Sequence, residues 1–225
     1  MDSRLKAMMD FVPIGSRVAD IGTDHGYLVI ELIKRNIATF VIASDKNAKP
    51  LAAAQNNIKE ANIGDQVSLR LGDGLKSISV GEVDVICIAG MGGALICDIL
   101  DDSPEIVAKV DKIILQPMNA VNKVRQWSLN TGFHIEDEDL AEVDGIIYEI
   151  ICLSRNATTS KPTRRSKSPL LTKLIESKIN KLQQIQKSMS QSQKAVTSDK
   201  YFEIENQIKE LKAMLDEKSN STNSL

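Results

Sequence analysis

Apolar and polar positions change their period twice along this 225-residue chain. Up to residue 131, short apolar runs rich in Val, Ile and Leu alternate with longer amphipathic stretches. The runs at 17–21, 40–44, 67–71, 84–89 and 112–116 have the length and β-branched content of buried strands. The segments at 26–35, 47–62, 93–100 and 119–131 suit helices. Regular alternation of the two predicts a parallel sheet with right-handed crossovers and helices on both faces.

The period then shortens to two. "FHIEDEDLAEVDGIIYEIICL" holds two alternating runs joined at Asp144 and Gly145, which is a hairpin signal. After Arg155, "NATTSKPTRRSKSP" is polar and interrupted by proline. Beyond it, Leu171, Ile175, Ile179, Leu182, Ile185 and Met189, and later Tyr201, Ile204, Ile208, Leu211 and Leu215, recur at steps of three and four. Two helices with one apolar stripe each should fold back on one another as a short coiled-coil hairpin. The expected class is α/β: a doubly wound sheet ending in an antiparallel hairpin over 1–155, a basic linker over 156–169, and a C-terminal α-helical domain over 170–225.

Composition supports a real core, since 42% of the residues are apolar at a length ample for one domain and an appendage. Glycines interrupt the longest apolar runs, so no membrane span is expected. The first residues lack the basic flank and apolar run of a secretion signal, which points to the cytoplasm. The three cysteines include no CxxC pair and read as buried thiols, with neither a disulfide nor a metal site.

Charge changes the picture more. Residues 1–155 carry 15 basic and 23 acidic side chains, whereas 156–225 carry 13 and 7. A basic segment appended to an acidic domain suggests a polyanion such as nucleic acid as partner; the plainer reading is a solvated helix face rich in lysine.

In open α/β sheets the ligand lies beyond the carboxyl ends of the strands. The loops there read "GTDHG", "SDKN", "GDG", "AGMGG" and "QPMN". Asp45 falls about 20 residues beyond Gly26, where a carboxylate takes the two hydroxyls of an adenosine ribose. Its other reading is a cap on the next helix. Asp73, between two glycines, can accept from the amino group of adenine, or be part of an ordinary turn. The first turn lacks the G-x-G-x-x-G of a pyrophosphate cradle, because Asp24 occupies the middle glycine position and would repel phosphate. Its carboxylate suits a cationic amino group. An adenosine with an amino-acid tail and no phosphate describes S-adenosylmethionine.

The stretch "DIGTDHGYL" resembles the first motif of class I methyltransferases. Together "FVPIGSRVADIGTDHGYL", "LGDGL", "ICIAGMGG", "LQPM" and "GFHIEDEDLAEVDGIIYEI" resemble the bacterial tRNA (adenine-22-N1)-methyltransferase family. That resemblance implies a Rossmann-like methyltransferase sheet with S-adenosylmethionine as cofactor and tRNA as partner. It puts Gly22, Thr23, Asp24, His25 and Gly26 at the methionine end, Asp45 and Lys46 at the ribose, Asp73 and Gly74 at the adenine, and Ala89, Gly90, Met91 and Gly92 beneath the sulfonium. Tyr27, Met91, Gln116 and Pro117 would meet the incoming base.

Methylation at N1 needs mainly alignment of a lone pair that is already nucleophilic. Asp24 and His25 are candidates to stabilise the cationic product or take a proton, with Gln116 holding the adenine edge; His25 equally suits a structural turn. The N1 edge is used in base pairing, so the target must be unpaired or flipped out. Phosphate contacts fall to Lys161, Arg164, Arg165, Lys167, Lys173, Lys178 and Lys181. The expected enzyme is monomeric and metal-free. Two other readings fit the residues: a small-molecule methyltransferase with the hairpin as lid or dimer element, and a non-catalytic RNA or protein scaffold.

Overall fold

The computed structural model describes residues 2–156, 163–191 and 196–222, the last five by backbone alone. The chain divides into two compact units, Met1–Ser166 and Lys167–Leu225. Within the first, helix α1 (Ser3–Met9) precedes β1 (Ser16–Ile21), α2 (Tyr27–Lys34), β2 (Ala38–Asp45), α3 (Ala48–Glu60) and β3 (Val67–Leu71). Then come β4 (Val85–Met91), α4 (Gly93–Asp101), α5 (Pro104–Val107), β5 (Lys112–Pro117), α6 (Val121–Thr131), β6 (His134–Val143) and β7 (Ile146–Ser154).

The sheet runs β3-β2-β1-β4-β5-β7-β6, with β1 to β5 parallel and β7 antiparallel to both neighbours. Period-two alternation along β1 explains why both faces are covered: Val18 packs with Leu28, Leu32 and Ile58 on one side, Ala19 with Ile86, Ile96 and Leu100 on the other. Asp144 and Gly145 both have positive φ, +50° and +79°, as a two-residue hairpin turn of the primed type requires.

Chain order reverses between β1 and β4, so their carboxyl ends splay apart there. Gly90, at φ +75°, interrupts the β4–β5 register between Ala89 and Met91. Such a bulge re-aims the strand end beside a site. The loop after β5 is tied to the start of α4: Met118 N–H donates to Met91 O at 2.8 Å, and Gly93 N–H to Asn119 O at 3.0 Å. A Cβ on Gly93 would stand 2.5 Å from Ala120 O, so only glycine permits this approach.

Helix α1 had no counterpart in the expected elements. Asp2 caps it by accepting from Arg4 N–H at 2.7 Å, and Ala7, Met8 and Met9 are buried beneath it. Helix α6 begins two positions later than its pattern suggests, because Asn119 and the left-handed Ala120 are held in the preceding loop.

The first unit extends past Arg155 through ion pairs. Arg164, in the short α7 (Arg164–Lys167), meets Asp137 at 3.1 Å and lies over the Phe11 ring at 4.6 Å. Arg165 meets the buried Glu149 at 3.3 Å, and Arg125 pairs with Glu138.

The second unit is built from α8 (Leu170–Met189) and α9 (Asp199–Thr222). Leu171, Ile175 and Ile179 are buried, as are Ile204 and Ile208; Leu174 adds a position outside the expected stripe. Ile185 is partly exposed, so the seam loosens toward the end of α8.

Candidate active site

Two cavities open at the carboxyl ends of β1 and β4 and share Gly22. The larger, about 550 Å³, is lined from β1 by Asp20, from the following turn by Gly22, Thr23, Asp24 and His25, from α2 by Tyr27, and from β4 by Ala89 and Gly90. The smaller, about 180 Å³, takes in Asp45, Lys46, Asp73, Gly74 and Met91, with Leu95 and Ile99 as apolar walls. Topology thus brings together residues spread over five chain segments.

Gly22, Asp24 and Gly26 have φ of +77°, +49° and +72°. This succession of left-handed residues turns the chain sharply from β1 into α2, and Gly26 lets α2 approach α3 with Ala54 Cβ 3.3 Å from where its own Cβ would lie. His25 stacks on Tyr27 with centroids 5.4 Å apart and planes at 24°, and its Nε2 is 3.7 Å from Asp24 Oδ1. Tyr27 is 56% exposed, so one face of this pair is open.

Asp45 lines the smaller cavity and closes a turn just before α3. Its Oδ1 accepts from Asn47 N–H at 2.8 Å, while Oδ2 has no partner among the described residues. The N-cap of α3 is Asn47, not Asp45, and it makes no side-chain cap hydrogen bond.

Asp20 was not among the expected site residues. It is 5% exposed, lines the larger cavity, and pairs in the sheet with Ala43 and Cys87. Burial pushes its carboxyl up to about 6; the Thr23 hydroxyl works against this shift, and the nearby Asp45 charge adds to it. Thr23 Oγ1 is buried yet makes no well-formed hydrogen bond. The signal in the sequence was Asp20 itself, the acid opening "DIGTDHG", hidden by its apparent place inside a strand.

Gln116 and Pro117 behave otherwise than expected. Both are buried and neither lines the cavity. Gln116 Oε1 accepts from Gly90 N–H at 3.2 Å and from Arg4 Nη1 at 3.5 Å, so its amide lies behind the wall and braces it. The exposed side chain after them is Met118, whose sulfur receives the Gln116 amide at 3.6 Å. Gly92 also lies outside both linings and precedes α4 as its N-cap.

Among the candidate tRNA contacts, Lys161 lies outside the described residues. Arg164 and Arg165 are engaged with Asp137 and Glu149. Lys167, Lys173 and Lys181 are exposed, and Lys178 is half-buried. Among the described residues, no His, Cys, Asp or Glu cluster is arranged for a metal ion, and no helix is long and apolar enough to cross a membrane.

A doubly wound sheet closed by an antiparallel hairpin, with an acid-walled nucleotide cleft at its switch point, defines a Rossmann-like methyltransferase. Residues 1–151 match the family described as methyltransferase domain. The tRNA (adenine(22)-N(1))-methyltransferase of Bacillus subtilis (strain 168) is 34% identical over 151 residues, 67% of this chain and 63% of that enzyme's own length. The crystal structure of the B. subtilis m1A22 tRNA methyltransferase superposes with TM-score 0.76 at 27% identity, covering 96% of each chain. A Streptococcus pneumoniae protein solved in complex with S-adenosyl-L-methionine gives TM-score 0.79 at 31% identity, over 92% of this chain and 100% of that one. The chain belongs to the methyltransferase-domain family and, within it, to the bacterial tRNA (adenine-22-N1)-methyltransferases.

Proposed function

We propose that this protein transfers a methyl group from S-adenosylmethionine to N1 of an unpaired adenine, position 22, in tRNA, acting in the cytoplasm as a monomer. The observation that carries this reading is the pair of cavities joined at Gly22. The smaller offers carboxylates to hydroxyl and amino donors between apolar walls; the larger is acidic and opens beside a stacked His25–Tyr27 pair. S-adenosylmethionine supplies an electrophilic methyl group on a sulfonium, and the chain's residues bind and align.

Asp45 Oδ2 accepts from the ribose, Asp73 from the adenine amino group, and Leu95 and Ile99 cover the ring faces. Gly22 and Gly90 leave room at the reacting centre. The target adenine lies against Tyr27, and Asp24 stabilises positive charge developing on its ring. Gln116 keeps Gly90 in place from behind. The helical unit and Lys167, Lys173, Lys178 and Lys181 hold tRNA phosphates.

Incubation with labelled S-adenosylmethionine and unmodified tRNA, followed by digestion to nucleosides, is expected to yield 1-methyladenosine. Its absence from every tRNA would remove this reading. Transfer to free adenosine as fast as to tRNA would favour a small-molecule enzyme.

A further inference from the structure

The chain after β5 is fixed to the start of α4 by two backbone hydrogen bonds, Met118 N–H to Met91 O and Gly93 N–H to Asn119 O. A Cβ on Gly92 would stand 3.1 Å from Asn119 Oδ1 and 3.6 Å from its Nδ2, so the Asn119 carboxamide lies against Gly92, one residue past Met91 of the smaller cavity. An asparagine between two helix starts would ordinarily serve as a cap. This one caps neither. Helix α4 begins after Gly92 and α6 after Ala120 without a side-chain cap bond, and the Asn119 amide has no hydrogen-bond partner among the described residues. Asn119 is exposed, and Ala120 beside it is held at φ +49°, a left-handed conformation that alanine seldom adopts and that marks functional loops. Met118 is 48% exposed, with its sulfur held from behind by the Gln116 amide at 3.6 Å.

We propose that Asn119 reads the target adenine, donating from Nδ2 to N7 and accepting from the 6-amino group at Oδ1, with the Met118 thioether against the ring. The inference rests on the function proposed above and names the residue that holds the base. Methylation needs the N1 lone pair free, so recognition must use another edge. The N6/N7 edge offers one donor beside one acceptor, which a carboxamide matches at both positions. Guanine presents two acceptors there and would set O6 against Oδ1. Gln116 was the residue expected to hold the adenine, but its amide is engaged with Gly90 and Met118 behind the wall. Asn119, three positions on, is the carboxamide of that loop that remains open. Neither Met118 nor Asn119 lines the two cavities, as suits residues that meet a base brought in from outside and not the resident cofactor.

The test uses tRNA carrying 7-deazaadenine at the target position, which keeps N1 and the amino group and loses only N7. Single-turnover methylation of this tRNA and of ordinary tRNA is compared in the full chain and in Asn119→Ala, so that the altered basicity of the deaza ring cancels. Asn119→Ala is expected to slow ordinary tRNA about 5- to 150-fold, the range for a bidentate base contact. It should slow the deaza tRNA about 2- to 10-fold less, the share of one hydrogen bond. Asn119→Asp, which accepts from the amino group and opposes N7, should favour the deaza tRNA relative to the intact protein. Affinity for S-adenosylmethionine, measured by calorimetry, should stay unchanged in both variants. Misfolding slows both tRNAs alike and leaves their ratio to report, so an unchanged ratio in both variants overturns the contact. Intact protein that forms no 1-methyladenosine on either tRNA would instead refute the proposed function.

Discussion

Met91 lies across Gly22: a Cβ placed on Gly22 would stand 2.3 Å from Met91 Cε. The methionine is a wall of the smaller cavity and Gly22 belongs to both, so whatever moves Met91 changes the nucleotide site.

Gly22→Ala is therefore expected to act twice. The left-handed φ of +77° costs alanine about 1 to 2 kcal/mol of stability. The displaced Met91 side chain enters the smaller cavity, and S-adenosylmethionine affinity should fall more than about tenfold. Thermal unfolding and calorimetry together check both effects; affinity unchanged beside a lower unfolding temperature would show that Met91 moves away from the site.

Asp45→Ala removes the ribose acceptor and is expected to weaken cofactor binding by about 1.5 to 3 kcal/mol. Asp45→Asn should fall between, since an amide oxygen can still accept. The hydrogen bond from Asn47 N–H is lost only in the alanine variant, so stability should drop by about 1 kcal/mol there and little in the asparagine variant.

Asp20 should make stability depend on pH. Burial pushes its folded carboxyl up to about 6, against 3.8 for an unburied aspartate. Between those values the folded state holds more protons than the unfolded one. The benefit is thus fully present below the lower value and is lost as pH rises through about 6, to a total of about 3 kcal/mol. Asp20→Asn should flatten this slope in denaturant titrations from pH 4 to 7. If Asp20 meets the cofactor's ammonium, affinity in the unaltered protein rises with pH through about 6, and the variant loses that rise.

The ion pairs of Arg164 and Arg165 bear on truncation. A fragment ending at Arg155 strips Glu149 of Arg165 and Asp137 of Arg164, whereas one ending at Ser166 retains both pairs. Glu149 is 5% exposed, and removing every partner from a buried charge costs about 3 kcal/mol or more; Arg125, 3.5 Å away, stays in the shorter fragment and lowers that figure. Urea unfolding should show the 1–166 fragment to be the more stable. Both should bind S-adenosylmethionine.

Charge removal on the arm should divide along the same line. Neutralising Lys167, Lys173 and Lys181 is expected to weaken tRNA binding about equally for all sequences and to reduce the salt dependence by about one unit per phosphate contact. Arg164→Ala and Arg165→Ala should instead lower the stability of the first unit. Filter binding across a salt series separates the two classes, and a uniform loss of tRNA affinity in the arginine variants would return them to the RNA surface.

The five parallel strands, the hairpin at Asp144 and Gly145 and the stripes of α8 and α9 could be read from the chain because each follows from a local period or a turn residue. The same holds for Asp45 and Asp73, which stand at strand ends and so at the ligand edge of any parallel sheet. Contacts between residues far apart in sequence carry no such period. Arg4 reaches Gln116 across more than a hundred residues because α1 packs beside β5, which gives the Gln116 amide a neighbour that the sequence does not show. Arg164 and Arg165 looked like part of a basic patch until β6 and β7 placed Asp137 and Glu149 against them. Charge type and periodicity are properties of the sequence; which opposite charge a residue meets, and which face of it remains open to a ligand, depends on the packing of elements that the chain order does not make neighbours.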